Sequence, residues 1–188
     1  MIIGICGKSG SGKTTLANQI MQLAGDNAIC LDIDKIGHNV LLFPEVKKEL
    51  INSIGESIIK ENMVDRKKLG EIVFNSRNEM GKLSDITWKY MQIEIDKILN
   101  LNKDKIIILD WLLLNTKYFN MCDVKILLDV SYDVRKKRAM KRDNITEEDF
   151  DLREQATIDF DETLFDYVFK AADEKKVERL AKLLWQKI

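Results

Sequence analysis

Residues 7–14, Gly-Lys-Ser-Gly-Ser-Gly-Lys-Thr, fill the pattern G-x-x-x-x-G-K-[ST], whose chemistry is the binding of a polyphosphate. Backbone N–H groups can wrap an anion only where no Cβ intervenes, which accounts for Gly7, Gly10 and Gly12. Lys8, Ser9, Ser11 and Thr15 complete the loop expected to surround the phosphates. Lys13 supplies a mobile ammonium for the outer phosphates, and the Thr14 hydroxyl can ligate a magnesium ion whose other ligands are phosphate oxygens and water. A helix beginning near Lys13 adds the positive end of its dipole. A Gly/Ser-rich turn with a chance lysine is the plainer reading. It leaves unexplained the apolar strand pattern at 1–6 before the loop and the helical face of Leu16, Ala17, Ile20, Leu23 and Ala24 after it.

Phosphoryl transfer also needs a held acceptor hydroxyl, a carboxylate to receive its proton, and cations over the phosphoryl oxygens. Asp34 is the candidate base, with Asp32 or Asp110 assisting the metal through water. The alternative for Asp34 is helix capping before Lys35, and for Asp110 a strand-end carboxylate that fixes a loop. Arg135, Arg138 and Arg142 recur at i, i+3 and i+7, hence on one helical face. That face is either solvated or a lid whose guanidinium groups close over the phosphates. His38, four residues after Asp34, is one helical turn from it and reads as a packing or hydrogen-bonding residue. Trp88, Trp111, Tyr118 and Phe119 are candidates for an acceptor pocket or for core.

The elements that must position these groups are legible as apolar runs. Strands are expected at 1–6, 28–33, 105–110, 124–130 and, briefly, 167–169, alternating with helices. If the second continues far enough, Asp32 and Asp34 share one side. Continuous apolar strands separated by helices imply an α/β fold with a parallel sheet covered on both faces. Its carboxyl edge gathers residues 7–14, Asp32, Asp34 and Asp110. The middle, 45–100, reads as several helices broken at 75–78 and 81–82, without a strand. Pro44, the only proline, marks a break or the first turn of a helix. Ser131 can cap the helix that carries the arginines, and Thr146 with Asp149 opens another. A terminal amphipathic helix is expected at 174–186.

With 188 residues, 45% apolar and 32% charged, the chain is an ordinary globular composition of one domain with a helical insertion. A net charge of −1 gives no support for a general nucleic-acid or membrane partner, so anion binding must be local. Cys6, Cys30 and Cys122 are too scattered for a zinc site or disulfide framework and read as buried thiols. No secretion signal or long apolar span is visible, and the expectation is a cytoplasmic protein.

Taken together, the loop, then Leu31-Asp-Ile-Asp-Lys-Ile-Gly-His38, Asp65-Arg-Lys-Lys-Leu69 with Ile72-Val73-Phe74, Asp110 with Leu113-Leu114, and Arg138-Ala-Met-Lys-Arg142-Asp143 followed by Thr146, resemble dephospho-CoA kinases over residues 1 to about 169. The resemblance implies a P-loop kinase-like five-stranded sheet of order 2-3-1-4-5 flanked by helices, with a helical acceptor-binding insertion at about 35–100 and a lid at about 135–150. It implies ATP as donor with Mg2+, and phosphorylation of the ribose 3′-hydroxyl of dephospho-CoA to give coenzyme A. The family's acceptor-side carboxylate falls on Asp34, its lid arginines on Arg138 and Arg142, and an acceptor-region arginine on Arg66, with His38 beside them. The chain departs from the family pattern at Thr87-Trp88, at Leu112-Leu-Leu-Asn-Thr116, and at Lys170, where the family has an asparagine in its nucleotide-base region. A nucleoside or nucleotide kinase of the same core, and a nucleotide-binding regulator without transfer, are the other readings. The loop itself does not separate ATP from GTP.

Overall fold

A computed structural model describes residues 1–110, 116–155, 157, 159–170 and 174–186. The chain divides into two compact units, one formed by 1–32 with 102–188 and the other by 33–101.

The first unit is built on strands β1 (Ile2–Cys6), β2 (Ala28–Asp32), and, after the second unit, the later strands of one parallel sheet. The second unit contributes helices α2 (Ile33–Val40) and α3 (Pro44–Ile54), short strands β3 (Ile59–Lys60) and β4 (Met63–Val64), and helices α4 (Arg66–Phe74) and α5 (Arg77–Leu101). The first unit then resumes with β5 (Ile106–Asp110), α6 (Lys117–Met121), β6 (Val124–Leu128), α7 (Tyr132–Asp143), α8 (Glu147–Gln155), β7 (Tyr167–Phe169) and α9 (Glu174–Trp185). Helix α1 (Lys13–Ala24) joins β1 to β2.

The sheet order is β2-β5-β1-β6-β7, which is 2-3-1-4-5 when its five strands are counted along the chain. The α/β reading and the strand order are therefore borne out. Side chains alternate across the strands, so both faces are apolar. Ile3, Ile5, Ile108, Ile126 and Leu128 pack with Leu16, Ala17 and Ile20 of α1 and Val177, Leu180 and Leu184 of α9. On the other face Cys6 and Leu127 pack with Phe119 and Phe165. Tyr118 is fully buried and Phe119 nearly so, which makes both core residues rather than pocket walls. Trp111 lies outside the described residues. Cys6 and Cys122 are buried free thiols and Cys30 is half-buried. Burial pushes the Cys6 and Cys30 thiols up to about 12, which suits packing and not reactivity.

In the second unit, α5 is the spine against which α2, α3 and α4 pack. Its buried apolar positions include Ile33, Val40, Val46, Leu50, Ile58, Leu69, Val73, Ile95 and Leu99. Pro44 opens α3, where its missing N–H costs nothing. Two expectations are corrected here. The middle does contain strands, an antiparallel β3–β4 pair turned by Glu61 and Asn62, both with positive φ. Two residues per strand are too few to show an alternating pattern. The break expected at 81–82 is also absent, since α5 runs through Gly81. No helix among the described residues is long and apolar enough to cross a membrane.

Candidate phosphate site and its surroundings

The loop of residues 7–12 joins the buried end of β1 to α1. Gly12, the N-cap of α1, has φ 101° and ψ 18°, and no side chain caps the helix. The first N–H groups of α1 are thus left without a side-chain acceptor at the point where the helix dipole is positive, the arrangement that receives an anion. Two glycines are required by close packing. A Cβ on Gly10 would lie 2.3 Å from the Arg135 carbonyl oxygen, and one on Gly7 2.7 Å from that of Leu128. The loop is therefore pressed against the end of β6 and the first turn of α7. Lys13 folds back across it, its Nζ donating to the Gly7 carbonyl at 3.0 Å.

Asp32 and Asp110 end adjacent strands in register, and the Thr14 hydroxyl donates to Asp110 Oδ2 at 2.6 Å. Asp110 is 8% exposed, whereas Asp32 is open to solvent. A hydroxyl and a carboxylate so close form an all-oxygen donor set beside the phosphate loop, which fits a hard cation such as magnesium. Among the described residues no group of three or more His, Cys, Asp or Glu is arranged to hold a metal. Thr14 and Asp110 are the residues that would hold a magnesium ion here, together with phosphate oxygens and water.

The arginine face is divided in its roles. Arg135 is 5% exposed, which excludes the solvated-face reading for it. Its Nε donates to the Val130 carbonyl at 2.8 Å, its Nη1 reaches the Ser9 carbonyl at 3.4 Å, and both terminal nitrogens hold Glu154 at 2.8 and 2.7 Å. Arg138 Nη1 reaches the Gly10 carbonyl at 3.5 Å, so it too is at the loop. Arg142 is directed elsewhere, to Asp143 at 2.7 and 2.9 Å, and Asp143 also accepts from Arg153 at 2.7 Å. The Arg142 guanidinium holds the Asp143 carboxyl below the usual range. Ser131 occupies the N-cap position of α7 but makes no capping bond. Thr146 and Asp149 do form the reciprocal box that opens α8. The side chain of Lys170 extends between Asp129 and Glu162, 3.6 Å from each.

Lys8, on the loop, donates to Asp159 at 2.9 Å and lies 3.3 Å from Glu154. Asp159, foremost, raises the Lys8 pKa, and Arg135 lowers that of Glu154. A cavity of about 370 Å³ opens beside this cluster, lined by Lys8, Asp129, Tyr132, Arg135 and Phe160 among others. Glu154 and Asp159 escaped the sequence reading. Glu154 sits 19 residues from Arg135 and 146 from Lys8, and no local spacing rule links such positions.

The expected acceptor residues lie in the second unit. Strand β2 stops at Asp32, so Asp32 and Asp34 do not alternate along one strand. Asp34 is instead inside the first turn of α2, which starts two residues earlier than expected, so it is not a cap before Lys35. His38 stands in the last turn of the same helix, and its Nε2 lies 2.7 Å from Arg66 Nη2. A guanidinium can only donate, so His38 Nε2 is the acceptor and its proton sits on Nδ1. Asp65 accepts from the Lys67 and Lys68 N–H groups at 3.0 and 3.1 Å, capping α4 and fixing where Arg66 emerges. Asp34, His38 and Arg66 are all exposed. At the first departure from the family pattern, the Thr87 hydroxyl bonds back to the Leu83 carbonyl of its own helix, and Trp88 is half-buried. Leu112, Leu113, Leu114 and Asn115 lie outside the described residues.

A model of the dephospho-CoA kinase family (CoaE) matches residues 1–177. The dephospho-CoA kinase of Aquifex aeolicus (strain VF5) is 37% identical over 155 residues, covering 80% of this chain and 77% of that protein. A crystal structure of TT1252 from Thermus thermophilus matches with a TM-score of 0.81 at 21% identity, over 100% of this chain and 97% of that one. A dephospho-CoA kinase from Campylobacter jejuni matches with a TM-score of 0.69 at 22% identity, over 99% and 96%. The two structural likenesses bear on the fold, and the family match and the 37% identity bear on descent. An uncapped helix start behind a glycine-gated loop, the Thr14–Asp110 pair at its edge and a match spanning 1–177 converge on one conclusion: the chain belongs to the dephospho-CoA kinase family of ATP-dependent small-molecule kinases.

Proposed function

We propose that the chain transfers the γ-phosphoryl group of ATP to the ribose 3′-hydroxyl of dephospho-CoA, giving coenzyme A and ADP, as a single kinase domain working in the cytoplasm. The observation that carries the site assignment is the Thr14–Asp110 pair beside the uncapped start of α1. Around it each residue has a part. The N–H groups of the loop and of α1 hold the phosphates, with Lys8, Ser9, Ser11 and Thr15 completing the wall. Lys13 moves from the Gly7 carbonyl to the outer phosphates, and Arg138, already at the loop, covers the oxygens of the transferred group. Thr14 and Asp110, with Asp32 through water, are the residues to hold Mg2+. Bound there, the ion neutralises charge developing on the phosphate oxygens.

On the acceptor side Asp34 takes the proton of the attacking hydroxyl as its oxygen forms the new bond to phosphorus and the bond to the ADP oxygen breaks. His38 and Arg66 bind the acceptor, Arg66 through an N–H fork suited to phosphate. Arg142 acts only after release from Asp143 as the lid closes. Incubation of the purified chain with Mg-ATP and a panel of dephospho-CoA, nucleosides and nucleoside monophosphates, read by mass spectrometry, tests the assignment. The expected product is coenzyme A alone, and turnover of a nucleotide without it would remove dephospho-CoA as the acceptor.

A further inference from the structure

Beside the phosphate loop, Lys8 of the loop wall and Arg135 share one carboxylate from α8, and the transfer chemistry gives that carboxylate no part. Glu154, in the last turn of α8, grips Arg135 with two hydrogen bonds and lies 3.3 Å from Lys8 Nζ. The side chains of Arg135 and Glu154 are 6% and 19% exposed, so this pair is shielded from solvent. Asp159 adds a second acid on Lys8, and its side chain is 97% exposed. The cluster is electrically balanced without nucleotide, two cations against two carboxylates. Helix α8 buries only Phe150 among its described positions. It is otherwise tied to α7 through polar pairs, Tyr132 with Asp151, Lys136 with Glu147 and Arg153 with Asp143. Its attachment to the loop is therefore chiefly the Glu154 carboxylate.

A triphosphate in the loop adds several negative charges next to Lys8 and Arg135 and competes with Glu154 and Asp159 for them. On the reading that this loop binds ATP, we infer that Glu154 is a positioning residue that sets nucleotide affinity. It orients Arg135 against the Ser9 carbonyl and holds Lys8 in the nucleotide-free chain, then yields Lys8 to the phosphates when ATP enters. The sign of this role is distinctive. Loss of a merely structural carboxylate weakens ATP binding, whereas loss of a competing one strengthens it.

The test is direct titration of Mg-ATP into the full chain, without acceptor, by calorimetry. Glu154→Gln lowers the Kd for ATP by about 3- to 10-fold, a gain that shrinks as salt is raised. The same variant lowers kcat with dephospho-CoA, because Arg135 loses its bidentate partner. Asp159→Asn, on an exposed side chain that puts no packing at risk, lowers Kd in the same direction by about twofold. Lys8→Met raises Kd and cancels both gains in the double variants, a non-additivity that independent sites do not show. Unchanged or weaker binding in Asp159→Asn and in a folded Glu154→Gln overturns the inference, as do gains that survive Lys8→Met. Should Glu154→Gln fail to fold, Asp159→Asn alone and with Lys8→Met decides. A wild-type chain that binds ATP and shows these shifts but does not phosphorylate dephospho-CoA upholds the inference and removes the acceptor assignment. A wild-type chain that binds no ATP removes both.

Discussion

The phosphate loop and the region carrying Asp34, His38 and Arg66 are held in opposite ways. Around the loop, Ser11 is fully buried, Asp110 and Arg135 are 8% and 5% exposed, and the backbone of α7 stands where a Cβ on Gly10 would be. In the second unit, the three expected acceptor residues stand in solvent on helix turns, and their placement comes from helix starts and from one another. The proposed donor site is thus made of backbone, which packing fixes in advance. The proposed acceptor site is made of exposed side chains, which can order on a substrate. A substitution near the loop should cost fold and function together, while one at the acceptor residues should cost function alone.

The sharpest test of that separation carries the largest effect. Asp34→Asn removes the proposed base from an exposed position, so kcat falls by about 10³-fold, within the usual range for general-base loss. ATP affinity and melting temperature stay at wild-type values. Steady-state kinetics with calorimetric ATP titration and a thermal melt check it together; near-normal turnover would take Asp34 out of the mechanism, and a large loss of melting temperature would break the contrast.

Gly10→Ala tests the other side. The new Cβ meets the Arg135 carbonyl at 2.3 Å and the residue must keep φ near +78°, so the loop shifts and strain of about 1–3 kcal/mol is added. ATP affinity falls by about 100-fold and stability falls with it, in contrast to Asp34→Asn. Wild-type melting with lost ATP binding would mean that the loop tolerates displacement and that its packing on α7 is incidental.

The same division explains what could be read from the sequence. Residues 7–14 were legible because a backbone-built anion site needs glycines at fixed spacing, and strands buried on both faces leave continuous aliphatic runs such as 106–109. Local order also announced the Thr146–Asp149 box and Pro44 at the start of α3. What did not show was anything resting on long-range pairing. Glu154 and Asp159 reach Lys8 from 146 and 151 residues away, and Arg135 looks from its spacing like one of three equivalent arginines. The β3–β4 pair was hidden by its brevity, and the first turn of α2 by the apolar Ile33 that extends the pattern of β2.

On the acceptor side a smaller effect is expected at Arg66. Replacing it with Ala removes a charged donor and frees His38 Nε2, so KM for dephospho-CoA rises by about tenfold while kcat and ATP affinity change little. Arg66→Lys restores charge but not the fork, and recovers only part of the loss. An unchanged KM for dephospho-CoA in Arg66→Ala would remove Arg66 from acceptor binding and leave its contact with His38 as a helix-to-helix tie within the second unit.

The smallest effect separates the exposed ion pairs of α7 and α8 from loop packing by its pH dependence. Asp143 is held below the ordinary carboxylate range by hydrogen bonding from Arg142 and, next after the opposing effect of burial, from Arg153. A carboxyl whose folded pKa is depressed contributes stability that is fully present above its unfolded pKa of about 3.9 and is lost as pH falls through the folded value. With its side chain 24% exposed and that of Arg142 61% exposed, the contribution is below about 1 kcal/mol. Asp143→Asn therefore melts slightly below wild type at pH 7, and the difference closes as pH drops toward about 2. It also narrows in high salt, because exposed pairs are screened. Gly10→Ala, whose cost is steric, keeps its deficit across the same range of pH and salt. Thermal melts of both variants at pH 7 and near pH 3, each at low and high salt, distinguish the two origins. A Gly10→Ala deficit that faded with salt would show that charge rather than close packing holds α7 against the loop.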